Sequence, residues 1–84
     1  MDAYFITFRS VTFAQRGEGV LKRKGVDCTL QRTPRMLEER GCGYCLRIRH
    51  QDVATAVALL QGQQVPYRRL YVHRKDGSME ELAL

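Results

Sequence analysis

The sequence predicts one small α+β domain, in which two helices cover one face of a four-stranded antiparallel sheet. The chain has 84 residues, which is the length of a single domain. Its apolar residues alternate along several short segments and recur at helical spacing in two others. The segments follow one another as strand, helix, strand, strand, helix, strand, which is the split βαβ pattern of the ferredoxin-like fold. We expect residues 1–75 to form this domain and residues 76–84 to form a polar C-terminal tail.

The first half of the chain gives the first strand, the first helix and the second strand. Residues 3–8 are mostly aromatic or β-branched, which favours a strand. Ser10 and Thr12 are candidate caps for a helix that Gly25 ends. Residues 26–33 alternate between apolar and polar side chains, which is typical of a half-buried strand.

The second half gives the remaining elements. Thr33 and Pro34 end the second strand, and residues 34–40 can make one helical turn. Residues 44–49 predict the third strand, whose core-facing side chains are Tyr44, Leu46 and Ile48 and whose outward side chains are Cys45, Arg47 and Arg49. Asp52 is the expected cap of a helix over residues 53–61. Residues 65–74 predict the last strand. The sheet face without helices would then be polar and basic, with Thr29, Gln31, Arg47, Arg49, Arg69, Tyr71 and His73.

Composition excludes several classes of protein. The net charge is +5, and arginine, the commonest basic residue here, is a good partner for phosphate and other planar anions. No apolar run approaches the roughly 20 residues of a membrane span, and the N-terminus lacks the pattern of a secretory signal. We therefore expect a cytoplasmic protein without a membrane partner. Phosphate loops, paired catalytic carboxylates and Ser-His-Asp arrangements are absent from the sequence, which argues against nucleotide hydrolysis and acyl transfer.

The cysteines are Cys28, Cys42 and Cys45. An odd number in a cytosolic chain argues against a disulfide framework. Cys42 and Cys45 form a C-x-x-C motif, which indicates thiol exchange, half a zinc site or chance. A zinc site needs about four ligands. Because Cys28 lies among apolar residues and the two histidines lie elsewhere in the chain, we expect no metal and no cofactor.

The segment around Cys42 is the candidate site. The glycines on either side of Cys42 leave its sulfur accessible and its backbone permissive. Arg35 and Arg47 are near in sequence and would stabilise a thiolate, and a turn at Pro34 would offer backbone N–H groups. A glycine-rich turn with an unreactive cysteine fits the same residues. The candidate residues are Cys42 and Cys45 for chemistry, and Thr33, Pro34, Arg35, Gly41, Gly43 and Arg47 for binding.

Over residues 3–73 the sequence resembles a small bacterial family of selenium/sulfur carrier-like domains. The resemblance rests on an aromatic first strand followed by four segments, which are Phe8-Arg9-Ser10-Val11, the helix end 21–26, Thr33-Pro34-Arg35, and Cys42-Gly43 followed by Leu46-Arg47. Three departures stand out: Gly41 replaces a residue that is often Ser, Cys45 stands where a small apolar residue is common, and the first helix carries two glycines.

The resemblance implies that Cys42 is the functional thiol, with Arg35 and Arg47 beside it. Cys42 would hold sulfur or selenium as a persulfide or selenopersulfide. The partners implied are a cysteine desulfurase-like donor and an acceptor enzyme of sulfur or selenium metabolism. On this interpretation the protein is a carrier and not a stand-alone enzyme.

Two other functions remain open. The basic open face would suit RNA or an acidic protein partner, and residues 40–47 match part of the RNA-recognition signature. However, Cys42 and Arg47 occupy positions where that signature has stacking aromatic rings. The second alternative is a redox protein in which Cys42 and Cys45 form a reversible disulfide.

Overall fold

The computed structural model describes residues 2–34 and 43–82, which form an antiparallel sheet covered by two helices. The strands are β1 (Ala3–Thr7), β2 (Cys28–Arg32), β3 (Tyr44–Ile48), β4 (Leu70–His73) and β5 (Met79–Leu82). The helices are α1 (Val11–Arg23) and α2 (Val53–Gly62), and a short 3-10 turn, His50–Asp52, leads into α2. The α+β class and the order of the first six elements agree with the sequence prediction. Within the described ranges, neither helix is long and apolar enough to cross a membrane.

The sheet has the strand order β2-β3-β1-β4-β5, and each neighbouring pair is antiparallel. The predicted count of four strands is therefore wrong. The fifth strand lies within the segment predicted as a polar tail. It is held by backbone hydrogen bonds to β4 and by two ion pairs. Nη1 of Arg69 lies 2.9 Å from Oε1 of Glu81, and Nη2 of Arg74 lies 2.6 Å from Oε1 of Glu80. The strand predicted over residues 65–74 is shorter in the structure, where β4 comprises Leu70–His73.

Helix α1 begins after Ser10, the first of the two caps that the sequence offers, and not after Thr12. The side chain of Ser10 caps it by accepting a hydrogen bond from the backbone N–H of Phe13, at 3.3 Å, which satisfies one of the N–H groups that a helix start leaves unpaired. The buried positions Ala14, Gly17 and Leu21 follow at spacings of three and four residues, so they share the face that packs on the sheet.

Helix α2 begins differently from the prediction. Asp52 occupies the N-cap position, but its side chain makes no capping hydrogen bond. Its carboxylate instead accepts from Arg49, with Nε at 3.1 Å and Nη2 at 3.0 Å. The expected side-chain cap is therefore replaced by an ion pair that holds Arg49 against the start of the helix.

The two faces of the sheet are buried in different ways. Side chains from β1, β3 and β4 meet both helices in the main core, whose fully buried members include Ile6, Phe8, Leu21, Leu46, Ile48 and Leu60. On the opposite face, Phe5, Cys45 and Tyr71 form a second buried cluster. Pairing across the sheet sets Thr29, Arg47, Phe5, Tyr71 and Glu81 in one row on that face. The open face thus carries an apolar cluster in addition to the polar side chains predicted from the sequence.

Gly17 allows α1 to approach the core closely. A β-carbon at this position would lie 3.1 Å from Cζ of Phe8 and 3.3 Å from Cδ2 of Leu60, both in buried side chains. Alanine normally favours a helix over glycine by about 1 kcal/mol. We expect crowding to outweigh that gain, so that Gly17→Ala lowers the free energy of unfolding by about 1 kcal/mol. Urea denaturation of the variant measures the change.

Gly19 provides the matched control on the same helix. A β-carbon there meets only the guanidinium of Arg23, at 3.3 Å, and that flexible side chain can move aside. Gly19→Ala should therefore raise the free energy of unfolding by about 0.5–1 kcal/mol. If both alanine variants were stabilised equally, close packing at Gly17 would not be the reason for its glycine.

Candidate functional site

Two of the chain's cysteines are buried. Cys28 belongs to the main core and is 6% exposed, which agrees with its predicted core position. Burial raises the pKa of the Cys28 thiol, and the nearby Glu18 raises it further. Cys45 is completely buried in a cluster with Phe5 and Tyr71 on the open face. Since thiol chemistry needs an accessible thiolate, neither position suits reaction with a molecule in solution.

The base of the candidate site is the end of the β2–β3 pair. The last residues paired within the two strands are Arg32 and Tyr44. One step further, the N–H of Thr33 donates to the carbonyl oxygen of Gly43 at 2.6 Å. Two of the predicted site residues, Thr33 and Gly43, are thereby brought together. They close the connection whose intervening residues begin with Pro34.

Three predicted site residues, Arg35, Gly41 and Cys42, lie outside the described residues. Their predicted roles stay predictions, and their chain neighbours are the parts of the site whose positions are known. Cys42 directly precedes Gly43 in the chain. The groups around Gly43 are therefore the described groups that border Cys42 in the sequence.

Arg32 is a site residue that the sequence analysis missed. Gly43 has φ +72°, a conformation that favours glycine. A β-carbon built on Gly43 would lie 3.9 Å from Nη1 of Arg32. The guanidinium of Arg32 also lies 5.3 Å from the centre of the Tyr44 ring, which is a cation–π contact. Arg32 could have been identified from the register of β2 with β3, because that register sets residue 32 opposite residue 44.

Arg47 lies further along β3. It is exposed on the open face between Thr29 and Phe5. It is four residue steps of extended chain from Gly43, which is about 13 Å at the rise of a strand. The structure therefore places one predicted arginine away from the base of the site and a different arginine beside it.

Among the residues that the structure describes, the central row of the open face offers no exposed ring for base stacking. Phe5 and Tyr71, the aromatic side chains of its central row, are 4% and 8% exposed. Among residues 2–34 and 43–82, no group of three or more His, Cys, Asp or Glu side chains is arranged to hold a metal ion.

Comparison with known proteins gives one match. A family model described as "Putative Se/S carrier protein-like" matches residues 3–72, which is most of the chain. The chain belongs to this family. No curated protein and no solved structure matches it.

The match to the Se/S carrier-like family ends within β4, so β5 lies beyond the matched residues. The family assignment confirms the resemblance drawn from the sequence. Burial also indicates a packing role for Cys45. It is fully buried, and a fully buried cysteine acts as a small apolar side chain.

The position of Arg32 leads to a test at the thiol of Cys42. A nearby guanidinium favours thiolate over thiol, so we expect Arg32→Gln to slow alkylation of Cys42 by iodoacetamide at neutral pH by roughly threefold. Peptide mapping by mass spectrometry identifies the alkylated residue. Arg47→Gln removes the same charge further along β3 and is the matched control. Slowing by Arg47→Gln alone would contradict the assignment to Arg32 and favour the arginine predicted from the sequence.

Proposed function

We propose that this Se/S carrier-like domain carries sulfur or selenium on Cys42, as a persulfide or selenopersulfide passed between two enzymes. The observation that carries the proposal is the burial of the other two cysteines, in a chain whose family is described by chalcogen carriage. Cys28 and Cys45 are both withdrawn from solvent. Cys42 is then the cysteine left for reaction with a partner, and its flanking glycines give it a permissive backbone.

Loading needs no oxidant. The thiolate of Cys42 attacks the outer sulfur of a persulfide on the donor, a new S–S bond forms at Cys42, and the donor's S–S bond breaks. The donor leaves as a thiolate, and the transferred sulfur keeps its proton. Unloading is the same exchange with an acceptor thiolate as the attacking group. The protein therefore acts as a carrier, and the two partners supply the remaining chemistry.

Arginine side chains would favour the charged forms in both steps. A persulfide ionises readily, and a guanidinium beside it stabilises the anion by charge-assisted hydrogen bonding. We propose Arg32 for this role, together with Arg35, which the sequence predicts. The reducing cytoplasm is the compartment that suits the function, because it returns an unloaded cysteine to the thiol. The element order supports a ferredoxin-like fold extended by β5.

The redox alternative involves Cys45 directly. A disulfide between Cys42 and Cys45 needs α-carbons within about 4.4–6.8 Å, which is closer than an extended chain allows for residues three apart. The positive φ of Gly43 gives the chain a bend at this point. Full burial of Cys45, however, favours a packing role. We therefore propose carriage without a resolving cysteine as the principal function.

The test is loading of the intact protein by inorganic polysulfide, followed by intact-mass measurement without and with reductant. We expect the wild-type chain to gain sulfur that reductant removes, and Cys42→Ser to lose this gain. Cys28→Ala and Cys45→Ala are the controls and should load like the wild type. Circular dichroism verifies that each variant is folded.

Three results would contradict the proposal. Normal loading of Cys42→Ser would place the reactive thiol elsewhere. Loss of loading in Cys45→Ala, with the fold intact, would favour a functional pair of cysteines. Loss of two hydrogens on oxidation, mapped to a bond between Cys42 and Cys45 and without any sulfur gain, would favour the redox alternative.

A further inference from the structure

One end of the sheet carries a concentration of arginines. β2 ends at Arg32, Arg9 follows β1 by two residues, and Arg68 and Arg69 directly precede β4. We call these four residues the arginine end. It is formed entirely by described residues, and Gly43, the chain neighbour of Cys42, lies beside its member Arg32.

The strand register shows that these positions belong together. Arg32 pairs with Tyr44 at the start of β3. The next residue of β3, Cys45, pairs with Thr7 at the end of β1. Thr7 in turn binds the segment before β4: its N–H donates to the carbonyl of Arg69 at 2.9 Å, and its own carbonyl accepts from Arg68 at 2.8 Å. The four arginines therefore lie along one end of the sheet, from β2 to β4.

The arginine end carries an excess of positive charge. Within the described ranges, Glu81 is the carboxylate at the arginine end, and it pairs with Arg69. The sequence of residues 35–42 has no net charge, because it contains two arginines and two glutamates. Around the opposite end, basic side chains and carboxylates are nearly equal in number in the described chain; they are Lys22, Arg23, Lys24, Arg47, Arg49, Arg74 and Lys75 against Asp2, Glu18, Asp27, Asp52, Asp76 and Glu80.

The arginine end also has a concave part. A cleft of about 570 Å³ is lined by Arg9, Arg68 and Arg69. Its other walls are the half-buried rings of Phe13 and Tyr67, together with Pro66. Guanidinium groups beside aromatic rings are typical of protein interfaces, where arginine and aromatic residues contribute most of the binding energy.

We propose that the arginine end is a docking surface for an acidic surface on the enzyme that loads Cys42. This inference rests on the proposed function. A persulfide transfers only when the attacking thiolate reaches the outer sulfur, so the partner must approach the end of the sheet that bears Gly43. Positive charge concentrated at that end attracts a carboxylate-rich surface and orients the encounter.

The test uses two synthetic peptides, each with one cysteine persulfide, flanked by glutamates in one and by lysines in the other. The reaction is the balanced exchange described above, in which the peptide leaves as a thiolate. We expect the glutamate peptide to load Cys42 roughly tenfold faster than the lysine peptide at low salt, and this preference to shrink as salt is raised. Intact-mass measurement over time gives both rates.

A double variant tests whether the arginine end causes the preference. Arg9→Gln with Arg69→Gln removes two charges from exposed side chains there, and we expect it to slow the glutamate peptide by roughly threefold or more. Arg23→Gln with Lys24→Gln removes two exposed charges near the opposite end and should leave the rate unchanged. Salt dependence of the wild type provides a second measurement, should the double variant be poorly folded.

Binding of the same peptides as plain thiols, followed by fluorescence anisotropy, separates docking from carriage. Selective binding of the glutamate peptide without loading of Cys42 would overturn the proposed function and keep the docking surface. Equal loading and equal binding of the two peptides would overturn the docking surface and keep the carrier. Tighter binding of single-stranded RNA than of the glutamate peptide, lost in the Arg9 and Arg69 double variant, would also overturn it in favour of a nucleic-acid surface.

Discussion

The antiparallel register of β1 with its two neighbours is the constraint on which the rest of the structure depends. β1 lies at the centre of the sheet and pairs with β3 on one side and β4 on the other. Because side chains alternate along a strand, this register directs Ile6 and Leu46 toward the helices and Phe5 and Cys45 toward the open face. It also brings the end of β1, the start of β3 and the start of β4 to one edge. The arginine end is a consequence of that pairing, and the surroundings of Gly43 depend in addition on the pairing of β2 with β3.

Local patterns in the sequence were sufficient to predict most of the secondary structure. The Ser10 cap, the helical spacing in α1 and the alternation in β2 and β3 are each encoded within a few neighbouring residues. β5 was missed because its sequence, Met79–Leu82, has two glutamates at its centre and no β-branched residue. Its position depends on pairing with β4 and on ion pairs to Arg69 and Arg74. Such contacts cannot be read from composition or periodicity.

The candidate site shows the same division between local and distant information. Alternation correctly placed Cys45 on the face away from the helices, but it could not show that Phe5 and Tyr71 from other strands bury it there. Arg32 was missed for a similar reason, since nine residues lie between it and Cys42 and only the register of β2 with β3 brings it beside Gly43. Sequence proximity favoured Arg47, which the extended geometry of β3 carries away from Gly43.

Burial of Cys28 and Cys45 has a further consequence for a carrier. A persulfide is open to attack by any nearby thiolate, which would release its outer sulfur and leave a disulfide. Burial removes Cys28 and Cys45 from solvent, and for Cys28 it also raises the pKa of the thiol, so that less thiolate is present at neutral pH. In the proposed carrier, both effects would slow attack from within the same molecule, whereas a docked partner would approach at the arginine end. Under the proposed function, the packing of the two faces thus protects the cargo while the charge at the sheet edge directs its transfer.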